Sequence, residues 1–584
     1  MRPTLSALRA WLKHHQLDAF ILPHGDPYLG EYVASHDEGL CWLTGFSGSA
    51  GFAVVTQHQA WLYTDGRYQT QGAQQLVNSG FELRHSGRAK WDEDLAAAEA
   101  KGAIGFDPWL HSIEWHAQYE KKLAAHHWRL MAAANPLKEL WQGRPPVPAA
   151  LVEIQGLNFA GESSADKCRR LGEKLAAQNA AAELVNDATL VAWLLNIRGR
   201  DVAHIPVVQA RAMLHASGQA ELFIDPHKLS DAVRAQLDAH ITVHRPDQLQ
   251  HVIKSLHGKT LRLPSAHTPY ALLQYVHEAG GVADTSASVI LTARAIKNQT
   301  EQDGARRSHL RDAAALVQFF AALPELIKTA PREAELARVI AQHRARQADY
   351  VEESFSAIVG WQGNGAIVHY RAPDEGSAQI AGNGVLLIDS GGQYRCGTTD
   401  ITRTIAIGAP GAHAKEMYTR VLKGHLAIAR AQFPVGTTGG QLDALARQFL
   451  WAAGLDYDHG TGHGVGSFLS VHEGPQRISN RPDSTALEVG MILSNEPGCY
   501  LPGKFGVRIE NLVLVIPAER PNFLRFETLT LVPYDCALID AALLSPDEIV
   551  QINQYHAEVL AALSHAVDEK TKAFLLAQTQ SISA

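Results

Sequence analysis

The segment GVLLIDSGGQYRCGTTDITRTI, residues 384–405, decides how this 584-residue chain is interpreted. An apolar run from Val385 to Ile388 ends at Asp389, glycines interrupt it, and a Thr-rich run that favours β-structure carries Asp400. This pattern predicts a hairpin or near-hairpin that delivers two carboxylates. Facing residues on adjacent strands have Cβ atoms roughly 5 Å apart, so we expect the two carboxylates to oppose each other and share a metal pair.

A second segment, MILSNEPGCYLPGKFGVRIENLVLVI at residues 491–516, repeats this arrangement. A β run leads to Glu496, a Pro- and Gly-rich turn follows, and another β run carries Glu510. Between the two segments, His463 lies in HGTGHGVG, whose glycines permit close backbone approach. A single acid is ordinarily a surface residue. Here, however, Asp389 and Glu496 each end an apolar run, and we interpret the four acids and the histidine as one candidate site.

The composition of this candidate site favours metal binding. Four carboxylates in one pocket would repel and raise one another's pKa values unless cations compensate them, and two divalent ions supply four positive charges. Ligation dominated by oxygen, with one imidazole, favours Mn²⁺, with Co²⁺ or Zn²⁺ as alternatives, over a thiolate zinc site. Paired ions roughly 3.5–4 Å apart activate water and polarise a carbonyl group, so the residues predict metal-assisted hydrolysis.

Two regions that precede this site follow one plan. Each has a helix and a strand, then a short apolar segment, then paired strands, which predicts two related α/β domains. The Pro-rich stretch QGRPPVPAA marks a linker, and a second boundary falls near Lys297. The predicted domains are residues 1–145, 146–298 and 299–584. Helices of the third, α+β domain are predicted at 331–348, 412–431, 439–453 and 546–579.

Composition limits the classes of partner. The net charge of −8 is mild and no basic stripe is present, which argues against nucleic acid as a partner. No stretch approaches the ~18 uninterrupted apolar residues of a membrane span, and the first residues lack the apolar core of a secretory signal. The five cysteines are odd in number and lack CxxC spacing, which suits a reducing compartment. We therefore expect a soluble, cytoplasmic protein that does not associate with membranes.

Several segments resemble the metal-binding motifs of the pita-bread metallopeptidases, and of the aminopeptidase P (Xaa-Pro aminopeptidase) family in particular: VLLIDSGGQYRCGTTDITRTI, HGTGHGVGSFLSVHEGP, LSNEPGCY and GVRIEN. The resemblance covers nearly the whole chain, because GDPYLGEYVASHDEGLCWLTGFSGSAGFAVVT and WLLNIRGRDVAHIPV resemble the two preceding domains of the long, three-domain form. It implies a pita-bread catalytic domain with a C-terminal helical extension. It also implies an aminopeptidase that hydrolyses the Xaa-Pro bond at the start of a peptide.

The resemblance further implies a role for each residue of the candidate site. Asp389 would chelate one metal ion, Asp400 and Glu510 would bridge both ions, and His463 and Glu496 would complete the shell of the second. A water or hydroxide that bridges the ions is the expected nucleophile. Glu496 is the expected general base, a role that needs a carboxylate within hydrogen-bond reach of that water.

Four more residues are assigned roles, three histidines by motif and one arginine by its position on a strand. His369, His459 and His472 match positions on the substrate side in this family, where neutral imidazoles can donate to a developing oxyanion or orient the proline-side residue. Because the chain contains 29 histidines, it is the motif that selects these three. Arg508 alternates to the same strand face as Glu510, so we expect it to orient a ligating carboxylate; the alternative is a surface salt bridge.

Three alternative functions stay open from the sequence. A prolidase cleaves Xaa-Pro dipeptides with nearly the same ligands, although the duplicated N-terminal regions and the tail after residue 530 argue against it. A methionine aminopeptidase would not need two α/β domains before the catalytic one. A non-catalytic binding protein on the same fold would have lost ligands, whereas all five are present here. The resemblance also implies a homodimer that acts on peptides with proline at the second position.

Overall fold

The computed structural model describes residues 2–98, 101–237, 239–481 and 484–583 of the chain. The chain forms two compact units, Met1–Leu157 with Glu162–Leu291 and Asn158–Gly161 with Thr292–Ala584. Each unit has its own core of buried aliphatic and aromatic side chains. Among the described residues, none of the helices combines the length and the apolar composition that a membrane crossing needs.

The described residues of the first unit form two six-stranded sheets and a small sheet of two strands. The strands of the first are β1 (Ala19–Pro23), β2 (Phe52–Thr56), β3 (Ala60–Thr64), β4 (Glu82–His85), β5 (Gly102–Phe106) and β6 (Trp128–Ala132). Their spatial order is β4-β3-β2-β1-β5-β6. Strand β2 pairs antiparallel with β1 and β3, whereas the other pairs are parallel. The helices in this part of the chain are α1 (Pro3–His14), α2 (Gly39–Thr44), α3 (Gln69–Gln75), α4 (Trp91–Ala98), α5 (Ile113–Ala125) and α6 (Leu137–Leu140).

The second sheet repeats the first. The strands that follow are β7 (Glu153–Ile154), β8 (Ala182–Val185), β9 (Ile197–Arg198), β10 (Arg211–His215), β11 (Ala220–Phe223), β12 (Ile241–His244), β13 (Thr260–Arg262) and β14 (Val282–Asp284). The sheet order is β12-β11-β10-β8-β13-β14, with the same sequence of parallel and antiparallel pairs as in the first sheet. The helices are α7 (Leu157–Ala160), α8 (Ser164–Ala177), α9 (Ala188–Leu194), α10 (Asp231–Gln236), α11 (Leu249–Ser255), α12 (Tyr270–Glu278) and α13 (Val289–Ala295). The repeat confirms the prediction of two related α/β domains.

The second unit carries the predicted metal site on short antiparallel sheets. Its strands are β15 (Tyr350–Glu353), β16 (Ile358–Trp361), β17 (Gly384–Ser390), β18 (Gly392–Tyr394), β19 (Gly397–Thr398), β20 (Ile401–Ile407), β21 (Gln432–Pro434), β22 (Gly462–Gly464), β23 (Glu473–Ile478), β24 (Ile492–Asn495), β25 (Gly498–Leu501), β26 (Phe505–Arg508), β27 (Asn511–Pro517) and β28 (Phe523–Thr528). They form sheets in the orders β15-β18-β19, β16-β17-β20, β21-β28-β27-β24-β22-β23 and β25-β26.

Helices pack against these sheets. They are α14 (Gln299–Ile327), α15 (Glu333–Arg344), α16 (Ala412–Ala429), α17 (Gly439–Trp451), α18 (Pro546–Leu563) and α19 (Glu569–Gln578). The start of α14 is a capping box, in which Asn298 and Glu301 exchange side-chain-to-backbone hydrogen bonds. One core gathers Phe319 from α14, Leu386 from β17 and Val421 from α16.

The predicted helices in this unit exist, but some of their bounds differ. The region 546–579 is two helices, not one, because α18 ends at Leu563 and Asp568 caps a new helix by accepting a hydrogen bond from the backbone N–H of Thr571. Helix α15 is also shorter than the predicted 331–348, since it ends at Arg344. Both differences lie at helix ends, where sequence patterns give the least information.

Candidate metal centre

The first two acids lie on one long hairpin. Asp389 is in β17, Asp400 immediately precedes β20, and both are buried. The predicted opposition of these two carboxylates is wrong, because the β17–β20 register pairs Asp389 with Thr402 and Ser390 with Ile401. The β18–β19 hairpin continues the same register, with Gln393 opposite Thr398, and Asp400 lies two positions before Thr402, so it sits diagonally across from Asp389.

The second pair of acids sits where two strand pairs meet. Strands β24 and β27 pair Asn495 with Asn511, and β25 and β26 pair Gly498 with Arg508. Glu496 and Glu510 fall at matching positions between these pairs, where the strands diverge. Their backbone N–H groups donate elsewhere, to the carbonyl oxygens of Thr461 and Thr402 respectively. The two acids therefore lie opposite each other without a backbone hydrogen bond between them.

His463 completes the cluster from β22, which pairs with β24. Ligand atoms of Asp400, His463 and Glu510 all lie within 4.8 Å of one another. The Nε2 atom of His463 is 3.6 Å from Asp400 Oδ2 and 3.3 Å from Glu496 Oε1. The structure thus brings these four residues together, with Asp389 beside them on β17.

Three carboxylate oxygens in this cluster lack a hydrogen-bond partner among the described residues. They are Asp389 Oδ1, Asp400 Oδ1 and Glu510 Oε1, and all three are buried. Burying an unpartnered anionic oxygen is costly unless another group compensates it. Anionic oxygens that converge with one imidazole nitrogen are the donor set of a hard or borderline divalent cation, so the residues present fit a metal centre.

The electrostatics of the cluster point in the same direction. Burial raises the pKa of Asp389 to about 7. Burial and the charges of Asp400 and Glu496 raise the pKa of Glu510 well above its usual range. Burial likewise raises the pKa of Glu496. For His463, burial alone would lower the pKa, but the hydrogen bond to Asp400 and the charge of Glu496 raise it to about 9. Divalent cations would take the place of the protons that the cluster otherwise retains.

Arg508 connects several members of this cluster. Its guanidinium is buried and donates through Nη2 to Asp389 Oδ2 at 2.6 Å, through Nε to Thr402 Oγ1 at 3.2 Å and through Nη1 to Tyr500 Oη at 2.7 Å. The hydroxyl of Thr402 in turn donates to Glu510 Oε2 at 2.7 Å. One arginine and one threonine therefore fix the orientation of two carboxylates. Sequence reasoning missed Thr402 and Tyr500, because no local pattern specifies the register that places Thr402 opposite Asp389.

The three motif histidines lie near the same cluster. The rings of His369 and His472 are nearly parallel with centroids 6.5 Å apart, and the His472 ring is 4.4 Å from that of His463. His459 Nδ1 lies 2.8 Å from the carbonyl oxygen of the next residue, and its Nε2 lies 2.8 Å from Tyr500 Oη. A carbonyl oxygen only accepts, so Nδ1 of His459 carries a proton.

A buried ion cluster that sequence reasoning missed lies next to these histidines. Glu473, the neighbour of His472, is paired in the β22–β23 register with Gly464, the neighbour of His463. Its carboxylate lies 2.5 Å from Lys297 Nζ and 3.3 Å from Arg294 Nε. No local pattern links these residues, because the two cations are more than 170 positions before Glu473 in the chain. The cluster anchors the strand that follows His472.

Comparison with known proteins identifies the family. The model of metallopeptidase family M24 matches residues 303–517, and that of the C-terminal region of peptidase M24 matches residues 522–582. The creatinase/prolidase N-terminal domain matches twice, at residues 5–140 and 143–301. Aminopeptidase P1 of Lotus japonicus is 36% identical over 647 residues, which cover 97% of this chain and 98% of that protein. The chain belongs to the aminopeptidase P group of metallopeptidase family M24.

Solved structures of this family agree with the fold. The crystal structure of X-prolyl aminopeptidase from Caenorhabditis elegans, described as a cytosolic enzyme with a di-nuclear active site, matches with a TM-score of 0.94 and 35% identity over 99% of both chains. A prolidase from Pyrococcus horikoshii matches with a TM-score of 0.51 and 25% identity, and it covers 63% of this chain. The predicted fold of two related α/β domains followed by a pita-bread metallopeptidase domain is confirmed.

Proposed function

We propose that this protein is a metal-dependent aminopeptidase that removes the N-terminal residue from peptides whose second residue is proline. The observation that carries the proposal is the set of buried, unpartnered carboxylate oxygens that converge on His463. Membership of the M24 family and the aminopeptidase P relatives support the same activity. The prolidase structure has no counterpart for about a third of this chain, which supports an aminopeptidase rather than a prolidase.

The proposed metal ligands are Asp389, Asp400, His463, Glu496 and Glu510. They would hold two divalent ions, with Mn²⁺ our first choice and Co²⁺ or Zn²⁺ the alternatives, because oxygen donors predominate. Two such ions, when bound, would lower the pKa of a water molecule and polarise the scissile carbonyl group.

The protein's own groups would handle protons and orientation. Glu496 is the proposed general base, and its Oε1 accepts a hydrogen bond from Ser494 Oγ at 3.1 Å, which fixes the carboxylate beside His463. The proposed roles of His369 and His472 are to contact the substrate around the scissile bond. His459 would act on the same side through its hydrogen bond to Tyr500, with Arg508 keeping that tyrosine in place.

Proline at the second position changes what such a site must recognise. An Xaa-Pro bond has no N–H, so a site that relies on accepting a hydrogen bond from that group cannot use it. A pocket shaped for the pyrrolidine ring can select it instead, and discrimination then depends on shape. Peptides with proline at the second position are therefore the proposed substrates.

Three further proposals concern organisation and location. The proposed domains are residues 1–145, 146–298 and 299–584, the proposed assembly is a homodimer, and the proposed compartment is the cytoplasm. The family resemblance supports the homodimer. The cytoplasmic location is supported by the description of the C. elegans relative as a cytosolic enzyme.

Product analysis tests the proposed function. The full-length protein loaded with Mn²⁺ would be incubated separately with an Xaa-Pro-Xaa tripeptide, the matching Xaa-Pro dipeptide and a proline-free tripeptide, and the products identified by mass spectrometry. We expect release of the first residue from the Xaa-Pro-Xaa tripeptide only. Cleavage of the dipeptide alone would identify a prolidase, and no cleavage by metal-loaded protein would favour a binding protein.

A further inference from the structure

Glu333 is a buried carboxylate that the proposed mechanism does not use. It lies in the first turn of α15 and its exposed fraction is 0%. Its Oε1 accepts hydrogen bonds from the backbone N–H of Trp361 at 2.7 Å and from Asn364 Nδ2 at 3.0 Å. Its Oε2 accepts from Tyr370 Oη at 2.8 Å and from the backbone N–H of Ala378 at 3.0 Å. Hydrogen bonds to an ionised acceptor are among the stronger ones in proteins.

All of these donors belong to one stretch of chain, residues 361–378, which carries His369. Glu333 therefore ties both ends of this stretch, and also its middle, to the start of one helix. The helix does not use this carboxylate for its own cap, because the side chain of Glu335 accepts the hydrogen bond from the backbone N–H of Arg332, the N-cap residue of α15. The carboxylate of Glu333 serves the neighbouring stretch instead.

The two neighbours of His369 are both held in place. On one side, the carbonyl oxygen of Val368 accepts a hydrogen bond from Arg508 Nη2 at 3.3 Å, and the same atom donates to Asp389. On the other side, the hydroxyl of Tyr370 donates to Glu333. Burial and this bond to a carboxylate raise the pKa of Tyr370, so the tyrosine stays protonated and remains a donor. His369 thus sits between an anchor to the metal cluster and an anchor to α15.

We infer that Glu333 is a positioning residue, which acts through Tyr370 to hold His369 parallel to His472 on the substrate side of the site. The inference rests on the proposed function, because it assigns a purpose to the position of His369. Misplacement of a substrate-contacting group by about 1 Å can cost on the order of 100-fold in rate. Val368, which precedes His369, is tied to the metal cluster through Arg508. Tyr370, which follows His369, is fixed by its hydrogen bond to Glu333.

Two substitutions test this role, with a matched control. Tyr370→Phe removes only the hydroxyl, and Glu333→Gln keeps the shape of the side chain but replaces one acceptor oxygen by an N–H₂ donor that faces other donors. The control is Tyr63→Phe in the first unit, which deletes a similar bond, from Tyr63 Oη to Asp94 Oδ2 at 2.7 Å. All variants are made in the full-length chain and loaded with Mn²⁺.

We expect Tyr370→Phe to lower kcat/KM for the Xaa-Pro-Xaa tripeptide about tenfold, and Glu333→Gln to lower it further, while bound metal stays at the wild-type level. Tyr63→Phe should leave kcat/KM unchanged. In a His369→Ala background, Tyr370→Phe should cost nothing more, since its effect passes through that histidine. A purely structural role predicts the same loss in both backgrounds, and this result, or wild-type activity of Tyr370→Phe, would overturn the inference.

Hydrogen exchange separates failure of this inference from failure of the proposed function. Backbone amides within residues 361–378 should exchange faster in Tyr370→Phe than in the wild-type protein, whatever the substrate. If the wild-type protein cleaves no peptide, the proposed function fails, and unchanged exchange in Tyr370→Phe would show independently that the hydroxyl does not hold the segment. Faster exchange confined to this segment supports the tether in either case.

Discussion

The ion cluster around Glu473 gives a stability prediction that can be worked out from the structure. The side chains of Glu473, Lys297 and Arg294 are 0%, 1% and 4% exposed, so one carboxylate compensates two buried cations. Substituting Glu473→Gln removes the anion from both of these ion pairs. Removing one partner of a buried ion pair costs about 3–5 kcal/mol, and we expect the free energy of unfolding of the second unit to fall by that amount.

Two control substitutions calibrate the effect. Lys297→Met removes one of the two cations and leaves a one-to-one pair between Glu473 and Arg294, so its expected cost is only about 1–3 kcal/mol, comparable to a lost charge-assisted hydrogen bond. Glu325→Gln breaks the exposed pair with Lys328 on the surface of the same unit. This substitution should leave the free energy of unfolding of the second unit unchanged, because exposed ion pairs contribute little to stability.

The assay must report on the second unit alone, because a chain of several domains does not unfold in one step. Native-state hydrogen exchange of amides in β22 and β23, followed by mass spectrometry across a urea series, gives that local free energy. The expected order of destabilisation is Glu473→Gln, then Lys297→Met, then Glu325→Gln. If Glu473→Gln is as stable as the wild-type protein, or if Lys297→Met loses more unfolding free energy than Glu473→Gln, then Glu473 is not the anion that compensates both cations.

Three further predictions follow from the site and from the first unit. Asp400→Ala should abolish metal binding and hydrolysis together, as measured by elemental analysis and product release; retained metal would refute the ligand assignment. His459→Ala should lower turnover with metal retained, since its ring contacts Tyr500, and loss of metal would instead make it a ligand. Burial raises the pKa of Glu183 to about 7 from 4.5, so the stability it contributes is present below pH 4.5 and is lost as the pH rises to 7. In native-state hydrogen exchange of the β8 amides, the unfolding free energy of Glu183→Gln relative to wild type should therefore rise by up to about 1.4 kcal/mol per pH unit between pH 4.5 and 7, whereas a constant difference would contradict this.

Local patterns predicted the parts of this molecule that depend on neighbours in sequence. An apolar run that ends in an acid located Asp389 and Glu496, and strand alternation placed Arg508 on the face of Glu510. The duplicated order of helices and strands predicted two related sheets, which the structure has. In each case the relevant periodicity lies within one element or one hairpin.

The rest depends on contacts between distant segments. The register that sets Asp389 opposite Thr402 is a property of the whole β17–β20 strand pair, and the pattern within either strand does not specify it. Glu333 accepts a hydrogen bond from Tyr370, and Glu473 forms an ion pair with Lys297, and both partners are distant in the chain. No sequence motif predicts such partners. The break between α18 and α19 had a readable signal, since Asp568 is a preferred N-cap residue and the acidic Glu569 follows it in the first turn.

Metal-dependent aminopeptidase activity can be measured directly as hydrolysis of an Xaa-Pro-Xaa tripeptide by metal-stripped protein while Mn²⁺ is added back. We expect no hydrolysis without metal, and a rise in rate that reaches its plateau at two ions per chain, with the free N-terminal residue as product. Undiminished hydrolysis after the metal is removed, or saturation at two ions with no release of the N-terminal residue, would contradict this expectation.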